Sequence, residues 1–198
     1  MAHSVDQEIT CPQCGEKGVH KTWIAFEQDS SEALDALFGG KFAKYTCPGC
    51  KAELTIQFSC RYYDADHNAM VFYTPDDTEA AAMEAMLAQA GDSPELPPEF
   101  RAGVTRRIVR TIPDLGEKIR VFADGLDDEA LEVVKKLAIH RASSTDIEMD
   151  GTERVYYDGL NEDGDLDMLV EPNDDQLDGV LLVPVPRALY DAAERVQQ

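Results

Sequence analysis

CPQC at residues 11–14 and CPGC at residues 47–50 are the two stretches that decide the predicted fold of this chain. Each motif presents two sulfurs from one tight turn, and its proline holds φ near the value that such a turn needs. Gly15 follows the first motif and can adopt a backbone conformation that residues with a Cβ avoid. Two such turns supply four thiolates, which form a complete tetrahedral ligand set for one zinc ion.

We therefore predict that one structural Zn²⁺ is bound by Cys11, Cys14, Cys47 and Cys50. Four sulfurs leave no position for water or substrate, so the ion would have no catalytic role. In an intracellular chain, two CxxC pairs indicate zinc more often than disulfides. Two alternatives stay open: a thiol redox centre, because CPxC also occurs in oxidoreductases, and a switch that releases the metal on oxidation.

The formal net charge of −21 is the most unusual global property of the 198 residues. Residues 1–75 contain ten acidic and six basic residues, whereas residues 76–198 contain 29 and 12. Nucleic-acid binding depends on lysine and arginine neutralising phosphates, so this charge argues against that partner. Three explanations of the acidity remain: a solvated surface suited to high salt or to solubility, a docking surface for a basic protein, and mimicry of nucleic acid.

The chain contains no segment that predicts a membrane span or a secretion signal. No apolar run approaches the ~20 residues that cross a bilayer. Residues 1–10 lack the basic and apolar regions of a signal peptide. We therefore expect a cytoplasmic protein with no membrane partner.

Cys60 is left over once the other four cysteines are assigned to one site. We predict that it is a small buried apolar residue. A reactive thiol would instead need exposure and a cationic neighbour, for which Arg61 is the candidate.

The predicted fold class is α+β, in three consecutive parts. Residues 1–75 form a zinc-ribbon β-hairpin module with a helical insert, and residues 76–143 add a helical and strand part. Residues 144–198 form a small acidic antiparallel β unit with a C-terminal helix. Proline and polar residues at 92–100 mark a stiff linker.

Within residues 1–75, hydrophobic periodicity predicts a strand and hairpin after each motif. Residues 19–26 form the first strand, and residues 54–58 form a strand whose antiparallel return is residues 70–73. The insert begins a helix at Ser30 or Ser31 and ends it at Gly39 and Gly40. Its predicted apolar side consists of Leu34, Leu37 and Phe38.

The later elements follow from caps and periodicity. Helices are predicted at residues 74–91, 114–122 and after Asp127, and a strand at residues 104–111. In the tail, residues 155–160 and 166–170 flank a turn that contains Asp163-Gly164 and predict a hairpin. A third strand at residues 180–185 and a helix at residues 187–198 close the chain.

Further motifs resemble those of the CpXC family, a group of bacterial and archaeal proteins named for the paired cysteine motifs. They are RYYD at residues 61–64 before residues 70–73, LGEKIR at residues 115–120 and DGLDD at residues 124–128. The resemblance covers roughly residues 8–137. It implies a zinc-ribbon-bearing domain with the four cysteines of the two motifs as metal ligands, and it supplies no reaction.

We predict a zinc-binding, non-catalytic interaction or regulatory module, with a basic protein as its expected kind of partner. A nucleic-acid or transcription-associated zinc ribbon is the first alternative, and it predicts a basic surface at Lys17, Lys21, Lys41, Lys44 and Lys51. An enzyme with a site outside the ribbon is the second, and it requires a pocket with perturbed titratable groups. No motif pairs the four histidines.

Overall fold

The computed structural model describes residues 2–89, 103–142, 153–171 and 179–197, which form two compact units. The first unit is Met1–Gly116 and the second is Glu117–Gln198. The described residues form five helices and three sheets, which confirms a mixed α and β fold. The division into residues 1–75, 76–143 and 144–198 stays a prediction. None of the helices in the described residues is long and apolar enough to span a membrane.

The first unit contains a five-stranded sheet and a two-stranded sheet. Their elements, in chain order, are β1 (His3–Thr10), β2 (Lys17–Glu27), α1 (Ser31–Phe38), β3 (Lys44–Thr46), β4 (Glu53–Thr55), β5 (Cys60–Asp64), β6 (Ala69–Tyr73), α2 (Asp77–Gln89) and β7 (Thr105–Val109). The larger sheet has the order β1-β2-β5-β6-β7, and β3 pairs with β4 in the smaller one. The pairs β2–β5 and β6–β7 are parallel, and the remaining pairs are antiparallel.

The strands after the second motif were predicted with the wrong partners. Residues 70–73 return against β5, which contains RYYD, and not against residues 54–58. Only Glu53–Thr55 is a strand in that region, and it pairs with β3. The alternation of apolar residues did identify the buried side of residues 54–58, because Ile56 is buried next to Cys11 and Cys47. Those local contacts draw the segment toward the cysteines and away from the larger sheet.

Helix α1 ends where the sequence predicts, although its buried side differs. Gly39 and Gly40 follow its last residue. Ala33 and Leu37 are buried, whereas Phe38 is 43% exposed and was wrongly assigned to the apolar side. The helix lasts only eight residues, so its final residue lies where the chain already turns away from the core.

Helix α2 connects β6 to the parallel strand β7. The Asp76 side chain accepts hydrogen bonds from the backbone N–H groups of Thr78 and Glu79, both at 2.9 Å, so Asp76 caps the helix. Of the residues that helical periodicity predicts on one apolar side, Ala80 is buried, but Met86 is 44% exposed. The predicted linker at residues 92–100 lies outside the described residues.

The second unit contains three helices and a three-stranded sheet. Its elements are α3 (Ile112–Ala123), which begins in the first unit, α4 (Asp128–Ala142), β8 (Arg154–Leu160), β9 (Leu166–Glu171), β10 (Leu181–Val185) and α5 (Arg187–Gln197). The sheet has the order β10-β9-β8 with antiparallel pairs. Helix α4 contacts all three strands and α5. The predicted later helices, tail hairpin and third strand are confirmed.

A buried ion pair links the elements of the second unit. The Glu117 side chain is 2% exposed, and its carboxylate accepts hydrogen bonds from Lys135 Nζ at 2.6 Å and from the Tyr157 backbone N–H at 3.1 Å. Burial alone would lower the pKa of Lys135, but the Glu117 and Glu132 carboxylates raise it above its ordinary value. Glu117 of the LGEKIR motif therefore joins α3, α4 and β8.

Candidate metal centre

Each CPxC motif occupies the turn of a β-hairpin. Thr10 of β1 lies opposite Lys17 of β2, so the first motif forms the connection between these strands. Thr46 of β3 lies opposite Glu53 of β4, so the second motif does the same. The predicted hairpin after each motif is therefore corrected to a hairpin around each motif. Strand β1 was missed because its side chains are mostly exposed and carry little apolar periodicity.

The two turns have the same backbone hydrogen bonds. In the first, the Cys11 N–H donates to the Glu16 carbonyl at 2.8 Å, and the Cys11 carbonyl accepts from the Gly15 N–H at 2.9 Å. In the second, Cys47 makes the two equivalent bonds at 2.9 and 3.0 Å. Both motifs therefore hold their cysteines on turns with equivalent backbone hydrogen bonds.

The residue four positions after the first cysteine has a positive φ in both turns. This residue is Gly15 in the first turn, with φ of 76°, and Lys51 in the second, with φ of 64°. The left-handed conformation is easy for glycine and unfavourable for a residue with a Cβ. The sequence predicts this conformation at Gly15 but gives no sign of it at Lys51.

The two turns bring four sulfur atoms to one point. All four lie within 4.8 Å of one another, and the Cys11–Cys50 and Cys14–Cys47 sulfurs are each 3.6 Å apart. A disulfide would need about 2.05 Å, so these cysteines are free. Zinc–sulfur bonds of about 2.3 Å would place tetrahedral ligands about 3.8 Å apart. The spacing therefore fits a tetrahedral metal ion of that size.

The sulfurs lie between an apolar cluster and solvent. In each motif the first cysteine, Cys11 or Cys47, is buried, and the second is exposed. Cys11 and Cys47 pack with Tyr45 and Ile56 in one hydrophobic cluster. The apolar shell limits the access of water to the inner side of the site.

Glycine at position 49 allows the second turn to approach the first closely. A Cβ at Gly49 would lie 3.2 Å from the Glu16 Cβ and 3.5 Å from the Cys14 Sγ. A larger side chain would therefore press against the first turn and against a sulfur of the cluster.

Hydrogen bonds within the site give its thiols different pKa values. Backbone N–H groups of Cys50 and Gly49 lower the pKa of the Cys47 thiol to about 7, although burial opposes this. At Cys14, the Glu16 N–H lowers the pKa, but hydrogen bonds with the Cys50 and Cys47 sulfurs outweigh it and raise the value to about 12. Four adjacent sulfurs cannot all carry negative charge without a cation, which a metal ion provides.

Tyr45 is a site residue that the sequence analysis missed. It is 6% exposed and packs with Cys11 and Cys47. Its hydroxyl lies against Gly18 of β2, where a Cβ would come within 1.9 Å of the oxygen. Alternation along β3 is the signal that could have found it, because Tyr45 and Cys47 are two residues apart and share one side of the strand.

Cys60 lies apart from the sulfur cluster, at the start of β5. It is 6% exposed, and burial raises the pKa of its thiol to about 12. A thiol that stays protonated at neutral pH is a poor nucleophile, so the buried apolar role predicted for Cys60 agrees with the structure.

Two of the five lysines predicted to form a basic surface are paired with carboxylates. Lys17 contacts Glu8 at 2.7 Å, and Lys21 contacts Glu32 at 2.6 Å. Lys41, Lys44 and Lys51 are exposed. Among the described residues, no other group of three or more histidine, cysteine or acidic side chains is arranged to hold a metal.

The hairpins and their sulfurs define a protein with a paired CxxC centre that could hold a metal ion. A family model described as CpXC protein matches residues 9–135, more than half of the chain, and the chain belongs to the CpXC family. The match includes all four cysteines of the cluster and extends into α4. Neither the search of curated proteins nor the search of solved structures returned a match.

Proposed function

We propose that Cys11, Cys14, Cys47 and Cys50 bind one structural Zn²⁺ and that the protein is a zinc-stabilised, non-catalytic interaction or regulatory module. The observation that carries the metal assignment is the convergence of four sulfurs at tetrahedral spacing. Thiolates select zinc over magnesium or calcium, and four of them close the coordination sphere. The ion would join two hairpins as a zinc ribbon does.

Metal substitution and thiol variants test the ligand set. The purified chain should contain one zinc per molecule, and Co²⁺ in its place should give the sulfur-to-cobalt charge-transfer bands of a tetrahedral thiolate site. Cys47→Ser should lose both signals, while Cys60→Ser, the same change outside the cluster, should keep them. Full metal content in Cys47→Ser, or a spectrum that requires nitrogen or oxygen ligands, would contradict the assignment.

The charge distribution supports the proposed role as an interaction module. Acidic residues exceed basic ones by more than two to one over the chain, and most of the excess follows residue 75. A surface of this kind attracts basic proteins and repels phosphates. We also propose a cytoplasmic location, because that compartment keeps thiols reduced, as a four-thiolate metal site requires.

A pull-down with the zinc-loaded chain tests the kind of partner. We expect basic proteins that elute as salt is raised, because long-range attraction between exposed charges is screened. Recovery of nucleic acid that disappears from a nuclease-treated control would instead support a nucleic-acid-associated zinc ribbon. Lys41, Lys44 and Lys51 favour this alternative, because they are exposed cations near the second motif. Retention on heparin at low salt separates these two candidates.

A further inference from the structure

The first unit contains a cavity of about 760 Å³ beside the paired segments of β2 and β5. These strands pair in parallel only over Ala25–Glu27 and Arg61–Tyr63. Before Ala25, β2 pairs only with β1, and residues 56–59 belong to no strand. Most residues that line the cavity belong to β2, β5, β6 and α2. The volume is typical of small-molecule sites.

Apolar side chains form most of the described wall. They include Met70 and Phe72, both buried, together with Ile24 and Met83. The buried Cys60 also lines the cavity, but its thiol stays protonated because burial raises its pKa to about 12. The cavity therefore offers an apolar and aromatic surface and no activated sulfur nucleophile.

A preorganised carboxylate lies at one part of this wall. Ser59 Oγ is 2.5 Å and Thr74 Oγ1 is 3.1 Å from the same oxygen, Oε2, of Glu79. Each hydroxyl carries one proton, and both can donate to that oxygen, while Thr74 is itself 3% exposed. The two bonds orient the carboxylate and leave Oε1 of Glu79 to accept a hydrogen bond from a ligand.

We propose that this cavity binds a small organic cation, a primary amine with an apolar body, whose ammonium group pairs with Glu79. Among the described lining residues, Glu27 and Glu79 supply two negative charges against the one positive charge of Arg61. The side chains of Met70 and Phe72 accommodate the apolar body, and the Phe72 ring attracts the adjacent positive charge. The chain's net charge of −21 further raises the local concentration of cations. This binding site shares no residue with the sulfur cluster.

Three probes with similar apolar bodies test the proposal by isothermal titration of the full zinc-loaded chain: 2-phenylethylamine, 2-phenylethanol and 3-phenylpropanoate. We expect the amine to bind at one site per chain and at least tenfold more tightly than the alcohol or the acid. Glu79→Gln should weaken amine binding at least tenfold while leaving binding of the alcohol within about twofold. Glu84→Gln is the matched control, because it removes an exposed charge from the same helix outside this cavity.

The proposal would be overturned by a preference for an anion, by amine binding that does not depend on Glu79, by absence of amine binding, or by binding elsewhere. Tightest binding by 3-phenylpropanoate, lost in Arg61→Met, would make the cavity an anion site. Equal amine affinity in Glu79→Gln and the unchanged chain, or no binding of the amine, would also refute it. NMR shifts of the Ser59 and Glu79 backbone amides locate the amine, and shifts confined to other residues would place it elsewhere. Zinc content measured on the same samples distinguishes failure of the amine-binding proposal from failure of the metal assignment.

Discussion

The two CPxC turns have equivalent backbones built from different residues. Both place the first cysteine inside and the second outside, and both use the same pair of backbone hydrogen bonds. The residue in the left-handed conformation is Gly15 in the first turn and Lys51 in the second. The same turn geometry therefore forms around the four-sulfur cluster even where the residue at the left-handed position disfavours it.

The largest expected effect comes from removing an inner sulfur in either turn. Cys11→Ser and Cys47→Ser should each abolish the metal-dependent unfolding transition of the first unit, because metal binding and folding form one equilibrium in such sites. Circular dichroism melts with and without a zinc chelator measure this loss. If the turns are equivalent, the two variants should match. Retention of the transition in one variant would break the equivalence.

A smaller effect should follow from forcing the two hairpins apart at Gly18. In Gly18→Ala, the new Cβ would meet the Tyr45 hydroxyl at 1.9 Å and the ring carbon Cζ at 2.9 Å. We expect the free energy of unfolding of the zinc-loaded chain to fall by ~1–3 kcal/mol, as is usual for overpacking. Chemical denaturation measures the change.

The second substitution Tyr45→Phe serves as the control for Gly18→Ala. It removes the hydroxyl, for which no hydrogen-bond partner is seen, but keeps the ring. The double variant should recover part of the lost stability, since the ring carbon still crowds the new methyl group. No recovery would show that Gly18 acts through its backbone and not through contact with Tyr45.

Gly15→Ala tests the left-handed position of the first turn alone. No atom lies within 4 Å of the new Cβ, so only backbone strain is added. We expect the free energy of unfolding to fall by about 1 kcal/mol, the lower end of the penalty for a left-handed residue with a Cβ. Zinc stoichiometry should stay at one. An unchanged unfolding midpoint would mean that the turn relaxes to another conformation.

Lys51→Gly should have the smallest effect and the opposite sign. Relief of strain at φ of 64° favours the variant, while the greater freedom of glycine in the unfolded chain opposes it. We expect a net gain of at most about 1 kcal/mol in the free energy of unfolding. Lys51→Ala keeps the Cβ and should show no such gain, so equal stability of the two variants would argue against strain.

Most helices and the tail hairpin could be predicted because their signals are local. Asp76 and Asp127 act as helix caps, as their positions before apolar periodic segments indicate. The pairing of residues 53–55 with β3 could not be predicted, because strand partners depend on contacts far along the chain. Phe38 was misassigned because helical spacing alone does not show where the core ends.

The CpXC cysteine set and its two turns can be read from the residues alone, because CPxC spacing and sulfur chemistry are properties of a few consecutive residues. The three-dimensional fold alone places each motif inside a hairpin, gives Lys51 its left-handed conformation, and brings Ser59, Thr74 and Glu79 together beside an apolar cavity. These features arise from strand pairing and burial between distant segments, which minimise free energy over the whole unit and leave no local pattern.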